Sequence, residues 1–180
     1  MKTTRILVMG MLAALTAAAA QGAALVTKGA NELAAEGKLD FATAAGTDVK
    51  LELKYAYFIM DRVSVGAQGV LADNDAVSAY GIGLTAEYNF VLPAGYKPLF
   101  GTDLVPYLGI AVDYRHAKLF EESESAVVFG GEAGIKFFLT DTTALALGLV
   151  GEYATEEIYV DDLEATDKDL SLQLGMRFYF

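Results

Sequence analysis

The sequence predicts an all-β fold in which eight antiparallel strands form an up-and-down barrel across a membrane. Three observations support this prediction. Eight segments alternate apolar and polar side chains with a period of two, as strands with two different faces do. The connections alternate between short turns and longer charged loops. The chain also begins with an export signal, so the full prediction is a transmembrane β-barrel preceded by a cleavable signal helix.

The amino terminus carries the export signal. Met1-Lys-Thr-Thr-Arg5 is a short basic stretch, and the apolar run from residue 6 to residue 20 is too short to span a bilayer. Small residues end this run, which predicts cleavage after Ala20, with a second candidate site after Ala24. Residues 1–20 are therefore predicted to be a signal peptide and residues 21–180 the barrel.

The composition excludes several kinds of site. The chain has no cysteine, which excludes disulfides, thiol chemistry and cysteine-ligated metals. Its formal net charge is −11, whereas nucleic-acid binding needs a basic surface. We therefore expect no nucleic-acid partner. The glycines form no phosphate-binding loop between a strand and a helix, and we predict no cofactor.

The predicted strands follow one another along the whole of the chain after the signal. The turns at 60–62 and 140–143 are tight, whereas the loops 116–125 and 155–168 are longer and strongly charged. A barrel with short periplasmic turns and longer outer loops has this alternation. The connection 91–105 departs from it, and we interpret this segment as a long periplasmic turn. The predicted strands are residues 31–41, 49–59, 63–71, 78–90, 106–115, 126–139, 144–154 and 170–180.

The last predicted strand is the most regular one. From Leu170 to Phe180 every second residue is large and apolar. Gln173, Gly175, Phe178 and the final Phe form a polar-x-Gly-x-x-aromatic-x-aromatic ending. This ending resembles the carboxyl-terminal assembly signal of bacterial outer-membrane β-barrels. The whole chain is similar to the small eight-stranded group of OmpX, OmpW and the OmpA barrel.

The resemblance implies a location and a set of partners. It places the chain in the Gram-negative cell envelope, as an integral barrel that crosses the outer membrane several times. It implies contact with outer-membrane lipid and lipopolysaccharide, and recognition of Gln173, Gly175, Phe178 and Phe180 by the barrel-assembly machinery. We expect a monomer.

The positions of the aromatic residues predict which face meets lipid. A soluble, lipocalin-like barrel would bury the apolar stripe, whereas a membrane barrel turns it outward. One group of aromatic residues falls at one end of the strands and a second group at the other, with aliphatic residues between, as lipid interfaces favour. The apolar stripe is therefore expected to face lipid. The two groups are Tyr55, Tyr57, Tyr88, Phe90, Phe137, Phe178 and Phe180, and Tyr80, Tyr114, Phe129, Tyr153 and Phe41.

The polar stripe then lines the inside of the barrel. It is predicted to carry six cationic and seven acidic side chains, which must pair because an unpaired buried charge costs several kcal/mol. Mid-strand Glu52 and Glu132, with Lys54 and Lys38 as partners, are predicted to plug a lumen that is too narrow for a general porin. The alternative is a solvated sheet face. The predicted lumen charge network is Lys38, Lys50, Glu52, Lys54, Glu87, Glu132, Lys136, Glu152 and Arg177, with Glu36, Asp40, Asp113 and Arg115 beside it.

Three functions remain open from the sequence. The favoured one is a non-enzymatic barrel that acts in outer-membrane structure or as a surface or adhesion barrel. The alternative, implied by the resemblance to OmpW, is a narrow porin-like channel for small or apolar solutes. The second alternative is a lipid A-modifying enzyme at the rim, with His116 as the base and Ser78, Ser123 or Ser125 as the nucleophile. Since His116-Ala117-Lys118 lacks the His-x-Ser spacing of the lipid A deacylases, we predict no enzyme and no catalytic residue.

Acidic side chains gather in the last two outer loops. Carboxylates attract hard cations such as Ca²⁺ and Mg²⁺, but these have no EF-hand spacing. We interpret the loops as solvated segments and predict no metal site. The acidic residues are Glu121, Glu122, Glu124, Glu156, Glu157, Asp161, Asp162, Glu164, Asp167 and Asp169.

Overall fold

The computed structural model describes residues 25–39, 49–73, 77–90, 92, 103–119, 122–161 and 164–180. The predicted signal peptide lies outside these ranges. No helix within them is long and apolar enough to cross a membrane. The regular elements there are ten strands: β1 Asn31–Leu39, β2 Val49–Met60, β3 Val63–Asp73, β4 Val77–Asn89, β5 Asp103–Leu119, β6 Glu122–Thr140, β7 Thr143–Ala154, β8 Tyr159–Asp161, β9 Glu164–Thr166 and β10 Lys168–Tyr179.

Eight of these strands close into a barrel. The hydrogen-bonded order is β1-β10-β7-β6-β5-β4-β3-β2, and every neighbouring pair is antiparallel. The closing pair joins β1 to β10, with Glu32 opposite Tyr179 and Leu39 opposite Leu172. Closure leaves no unpaired sheet edge in the bilayer, where water is absent and cannot satisfy backbone groups. The predicted fold class, an eight-stranded antiparallel up-and-down barrel, is confirmed.

The two faces of the barrel differ as the alternation predicts. On the outer face, Ile82 and Leu84 are 74% and 71% exposed. On the inner face, Glu36 and Arg177 are almost completely buried. An exterior of this kind is unfavourable in water, since exposed apolar area costs about 25 cal/mol per Å², but it suits lipid. The apolar stripe therefore faces outward, as predicted.

The fifth and sixth strands are longer than predicted. β5 and β6 contain 17 and 19 residues and remain paired as far as Leu119 opposite Glu122. The predicted loop 116–125 is therefore mostly strand, and this prediction was wrong. In these outer parts of β5 and β6, the inward positions hold small apolar residues such as Ala117 and Ala126. The outward positions beyond the aromatic belt are polar.

The last outer connection is also more ordered than predicted. Within the predicted loop 155–168, β8 and β9 pair as a short hairpin, with Tyr159 opposite Thr166. Ile158, which precedes this hairpin, and Tyr159, the first residue of β8, are buried. The hairpin therefore packs back onto the barrel.

Of the predicted long turn 91–105, residues 103–105 belong to β5, and residues 91 and 93–102 lie outside the described ranges.

Candidate functional site

Inner-face glycines make room for the large polar side chains of the lumen. A Cβ atom at Gly134 would lie 2.7 Å from the ring of Tyr107, and one at Gly148 would lie 2.9 Å from its hydroxyl oxygen. A Cβ at Gly175 would overlap the side chain of Glu36. These positions therefore need glycine because a neighbouring side chain crosses directly over them.

Arg177 on β10 is the centre of the larger ion-pair group. It is fully buried and contacts four carboxylates: Glu36 at 2.7 Å, Glu32 at 3.0 Å, Glu87 at 2.5 Å and Glu132 at 3.2 Å. A guanidinium suits this place because its planar fork presents five donors to several acceptors at once. We call this group the Arg177 cluster; it comprises Glu32, Glu36, Glu52, Lys54, Glu87, Glu132, Lys136 and Arg177.

Two lysines complete the Arg177 cluster. The Lys136 ammonium lies 2.9 Å from Glu32 and also contacts Glu87. The Lys54 ammonium lies 3.0 Å from Glu36, 2.9 Å from Glu52 and 2.9 Å from Glu132. Glu52 shares β2 with Lys54, whereas each of the other carboxylates belongs to a different strand from its cation. The cluster therefore ties β1, β2, β4, β6 and β10 together across the barrel interior.

A second group, the Arg115 cluster, lies nearer the outer end. Arg115 forms a bidentate pair with Glu152, at 2.9 and 2.8 Å, and contacts Asp113 at 2.7 Å. Lys50 lies 2.5 Å from Asp169. We define the cluster as Lys50, Asp113, Arg115, Glu152, Tyr159 and Asp169.

Tyr159 joins the outer hairpin to the Arg115 cluster. Its hydroxyl accepts a hydrogen bond from Arg115 at 3.1 Å and donates one to Glu152 at 3.0 Å. Burial, followed by the neighbouring Glu152 charge, raises the pKa of the Tyr159 hydroxyl, so the phenol stays neutral and remains a donor. The Lys50 ammonium also lies 4.6 Å from the centre of the Tyr159 ring.

Apolar layers cover both ends of the lumen. At the end where the amino-terminal segment packs, Val26, Phe58, Val105, Phe138, Ala144 and Tyr179 form one cluster. At the outer end, a second cluster contains Ala117, Ala126, Val128, Ala154, Ile158 and Tyr159. Between the two charge clusters lies a cavity of about 20 Å³, which is room for roughly one water molecule.

The predicted lumen residues can now be located. Eight residues of the predicted network have side chains that lie inside the barrel and form salt bridges: Lys50, Glu52, Lys54, Glu87, Glu132, Lys136, Glu152 and Arg177. The side chain of Lys38 and the whole of Asp40 lie outside the described residues. Sequence reasoning omitted Glu32 from the lumen network, although it shares the inward parity of β1. It also placed Asp169 among the solvated acidic loop residues, which was wrong: Asp169 belongs to β10, faces inward and pairs with Lys50. It also omitted the uncharged partners Gln68, Tyr107 and Tyr159, because only charges were counted.

The residues of the predicted assembly signal occupy two faces of β10. Gln173 points inward and donates a hydrogen bond to Glu36 at 2.6 Å, and Gly175 lies under the same carboxylate. Phe178 and Phe180 lie on the outer face at the end of the strand. The backbone of Phe180 pairs with Asn31 in both directions, at 2.8 and 3.1 Å, which extends the seam between β10 and β1.

The structure brings only two of the residues predicted for the rim enzyme, His116 and Ser125, into contact. The His116 ring nitrogen Nδ1 lies 2.9 Å from the Ser125 hydroxyl, and the His116 ring lies 5.4 Å from that of Tyr80. Ser78 and Ser123 flank Lys118, two residues further out along β5 than His116. In the described part of the chain no carboxylate hydrogen-bonds to His116, and no three or more His, Cys, Asp or Glu residues are grouped to hold a metal ion.

The closed barrel, the outward apolar band and the ion-paired interior together define a small transmembrane β-barrel. The chain belongs to the outer membrane protein beta-barrel domain family, whose family model matches residues 6–178. The protein is therefore an integral protein of the Gram-negative outer membrane, and the resemblance inferred from the sequence is confirmed.

Solved structures agree with this assignment. The chain is similar to the N-terminal β-barrel domain of Pseudomonas aeruginosa OprF, with 20% identity, a TM-score of 0.63, and coverage of 85% of this chain and 98% of that one. It is similar to Neisserial surface protein A (NspA), with 18% identity, a TM-score of 0.54, and coverage of 84% and 96%. It is also similar to Pseudomonas aeruginosa OprG, with 16% identity, a TM-score of 0.51, and coverage of 88% and 99%. At such identities the likeness concerns the fold. No curated protein sequence matches the chain.

Proposed function

We propose that the protein is a non-enzymatic barrel with a side-chain-filled lumen that acts in outer-membrane structure or presents its outer loops at the cell surface. The observation that supports this most directly is the occupation of the lumen. Thirteen charged side chains in two clusters and an apolar layer at each end fill it. A barrel whose interior is held together by buried ion pairs supports the membrane as a rigid element, since opening it would separate those pairs.

The outer end supports a role at the surface. β5 extends beyond the aromatic residue Tyr114 as far as Leu119, and its partner β6 starts at Glu122. At about 3.4 Å per residue this ribbon rises on the order of 15 Å past the belt. The exposed side chains of this ribbon, among them Lys118, Ser123, Glu124 and Ser125, are polar or charged. These outer segments form the surface that we propose meets lipopolysaccharide and other cell-surface partners.

The filled lumen predicts that the purified protein does not conduct. Reconstituted in planar lipid bilayers, it is expected to give no sustained open current, because the Arg177 cluster and the Arg115 cluster occupy the lumen. A general porin inserted in the same bilayers is the positive control. Large, steady and unselective currents would instead support the alternative function, a narrow porin-like channel for small or apolar solutes.

A deletion strain tests the structural role itself. Loss of the protein from its native host is expected to increase sensitivity to detergents, and the wild-type chain should restore resistance. The control is a chain with Phe178 and Phe180 both replaced by Ala. We propose that these residues serve as the assembly signal, so this chain should reach the outer membrane in reduced amounts and restore less.

The rim-enzyme alternative makes a separate prediction. Although His116 and Ser125 touch at 2.9 Å, a serine nucleophile usually needs a base that a third group orients. We therefore expect His116→Ala and Ser125→Ala to leave the host's lipid A unchanged in mass spectra relative to wild type. A lipid A species that disappears in both variants, but not in Ser123→Ala, would contradict the proposal.

The remaining expectations belong to the same proposal. Residues 1–20 serve as the signal peptide, the assembly machinery recognises the end of β10, and the barrel works as a monomer. The uninterrupted β1–β10 seam supports the last point, since closure within one chain requires no second copy. Amino-terminal sequencing of the mature protein and light scattering of the detergent complex test these points.

A further inference from the structure

The cavity between the two charge clusters is lined by polar side chains together with glycines and small apolar residues. Its polar side chains are Glu52, Lys54, Gln68, Thr85, Glu132, Glu152 and Gln173. The volume, about 20 Å³, is enough for a single occupant of the size of a water molecule. The question is which chemical class of occupant the lining favours.

The orientation of two amide groups answers part of this question. The Gln68 nitrogen donates to Asp113 at 2.8 Å, and the Gln173 nitrogen donates to Glu36 at 2.6 Å. Carboxylates accept but do not donate, so these bonds fix which end of each amide is the nitrogen. Both carbonyl oxygens are buried without a hydrogen-bond partner, in residues that are only 6% and 2% exposed.

The one cation in the lining does not supply a donor to the cavity. The Lys54 ammonium has three N–H groups, and three carboxylates lie within 3.0 Å of it: Glu36, Glu52 and Glu132. Each N–H group therefore has its own acceptor. The Thr85 hydroxyl, a second donor in the lining, is directed to the Ile110 carbonyl oxygen at 3.3 Å. The polar groups left for an occupant are therefore oxygen acceptors, which favours an occupant that is a donor or a cation.

The charge of the lumen distinguishes these two classes. Among the described side chains, the two clusters hold five cations, namely Lys50, Lys54, Arg115, Lys136 and Arg177, against eight carboxylates, so their formal sum is −3. Lys38 and Asp40, which are predicted to be inward and lie outside this count, have opposite charges and leave the sum unchanged. Buried charge without a counter-charge is costly. A neutral water donates hydrogen bonds but leaves this excess of negative charge in place.

We propose that the cavity binds one small monovalent metal cation of the Na⁺ class, held by the carbonyl oxygens of Gln68 and Gln173 within the field of the surrounding carboxylates. Hard cations take oxygen ligands of this kind. Divalent ions fit less well, since Ca²⁺ takes six to eight oxygens and Mg²⁺ retains several of its own waters, for which the cavity has no room.

The first test compares two salts. The protein is unfolded by urea in detergent micelles at pH 8, once in NaCl and once in tetramethylammonium chloride at the same concentration, so that charge screening is equal. The bulky organic cation cannot enter the cavity. A ligand that binds only the folded state stabilises it, so the urea midpoint is expected to be higher in NaCl and to rise with Na⁺ concentration. Equal midpoints in the two salts would overturn the proposal.

The second test measures binding directly with ²²Na⁺ by equilibrium dialysis. Gln68→Met removes one carbonyl oxygen without changing the net charge, so non-specific attraction of cations cancels in the comparison. Wild type is expected to bind about one Na⁺ per chain more than this variant. Asn89→Leu is the matched control: it removes a buried amide that does not line the cavity, and its Na⁺ binding should equal that of wild type.

The results separate the cation from its competitors. If Gln68→Met does not fold, the comparison of salts on wild type alone decides the question. A urea midpoint that does not change with Na⁺ concentration but rises as the pH falls would indicate that protonation of a carboxyl group relieves the excess charge. A midpoint that depends on neither would indicate a buried water only. Either of these results would overturn the proposal.

Discussion

Replacing Arg177 by Met is expected to destabilise the folded barrel by about 3–5 kcal/mol, the usual cost of removing one partner from a buried ion pair. The fully buried guanidinium contacts Glu32, Glu36, Glu87 and Glu132. After the substitution, Glu36 would retain Lys54 as its only cation among the described contacts. The measurement is urea unfolding in lipid vesicles, followed by the gel-mobility difference between folded and heat-denatured protein.

A matched variant separates the buried network from simple loss of positive charge. Lys168→Met removes the same unit of charge from the same strand, at a position that is exposed. Exposed ion pairs contribute only about 0–1 kcal/mol, so this variant should unfold near the wild-type midpoint. If Arg177→Met were as stable as Lys168→Met, the Arg177 cluster would not stabilise the barrel as we infer.

Replacing Leu84 by Arg is the second substitution with a large expected effect. Leu84 is 71% exposed on the outer face and lies four residues from Tyr80 on one side and from Tyr88 on the other. It is therefore near the middle of the apolar band. An arginine at the midplane of a membrane barrel costs about 2–4 kcal/mol, and a loss of this size is expected in the same unfolding assay.

The depth of the substitution is the control for this prediction. Ser78→Arg places the same side chain on the same strand and face, beyond Tyr80 at the outer end. Near an interface the cost falls to about 0–1 kcal/mol. Equal destabilisation by the two variants would contradict the assigned position of the bilayer along β4.

The alternation of β10 explains why the fold could be predicted well. Leu170, Leu172 and Leu174 share one face while Ser171 and Gln173 share the other, and a shift by one residue would exchange all of them. Lipid on one side and ion pairs on the other both penalise that shift. The pattern is therefore strong along the membrane-spanning part of each strand, and the predicted bounds there differ from the observed ones by only a few residues.

The same reasoning failed outside the lipid band. In the outer parts of β5 and β6, both faces tolerate small or polar residues such as Ala117 and Ser125, so alternation no longer marks a strand. The hydrogen bonds between the strands continue there because backbone groups still require partners. Tyr159 was also missed, since its insertion depends on how the β8–β9 hairpin folds back and not on a repeating pattern.

The alternation along a strand shows which residues face the lumen, but it does not show which of them form ion pairs there. Parity places Arg177 and Glu87 on the inside, but their contact at 2.5 Å joins β10 to β4, on the opposite side of the barrel. The number of strands and their stagger determine which residues share a level of the lumen. The inner face could thus be predicted residue by residue, whereas the pairing within it required the structure.

Site-directed spin labelling tests the orientation of the two faces most directly. Because the chain has no cysteine, single variants such as Leu84→Cys, Ile110→Cys and Val150→Cys can each carry one nitroxide label in lipid vesicles. We expect labels at Leu84 and Ile110 to collide readily with oxygen, which concentrates in lipid, and rarely with a water-soluble nickel chelate. A label at Val150, on the inner face, should be shielded from both. Nickel access at Leu84 and Ile110 would show that the apolar stripe does not face lipid.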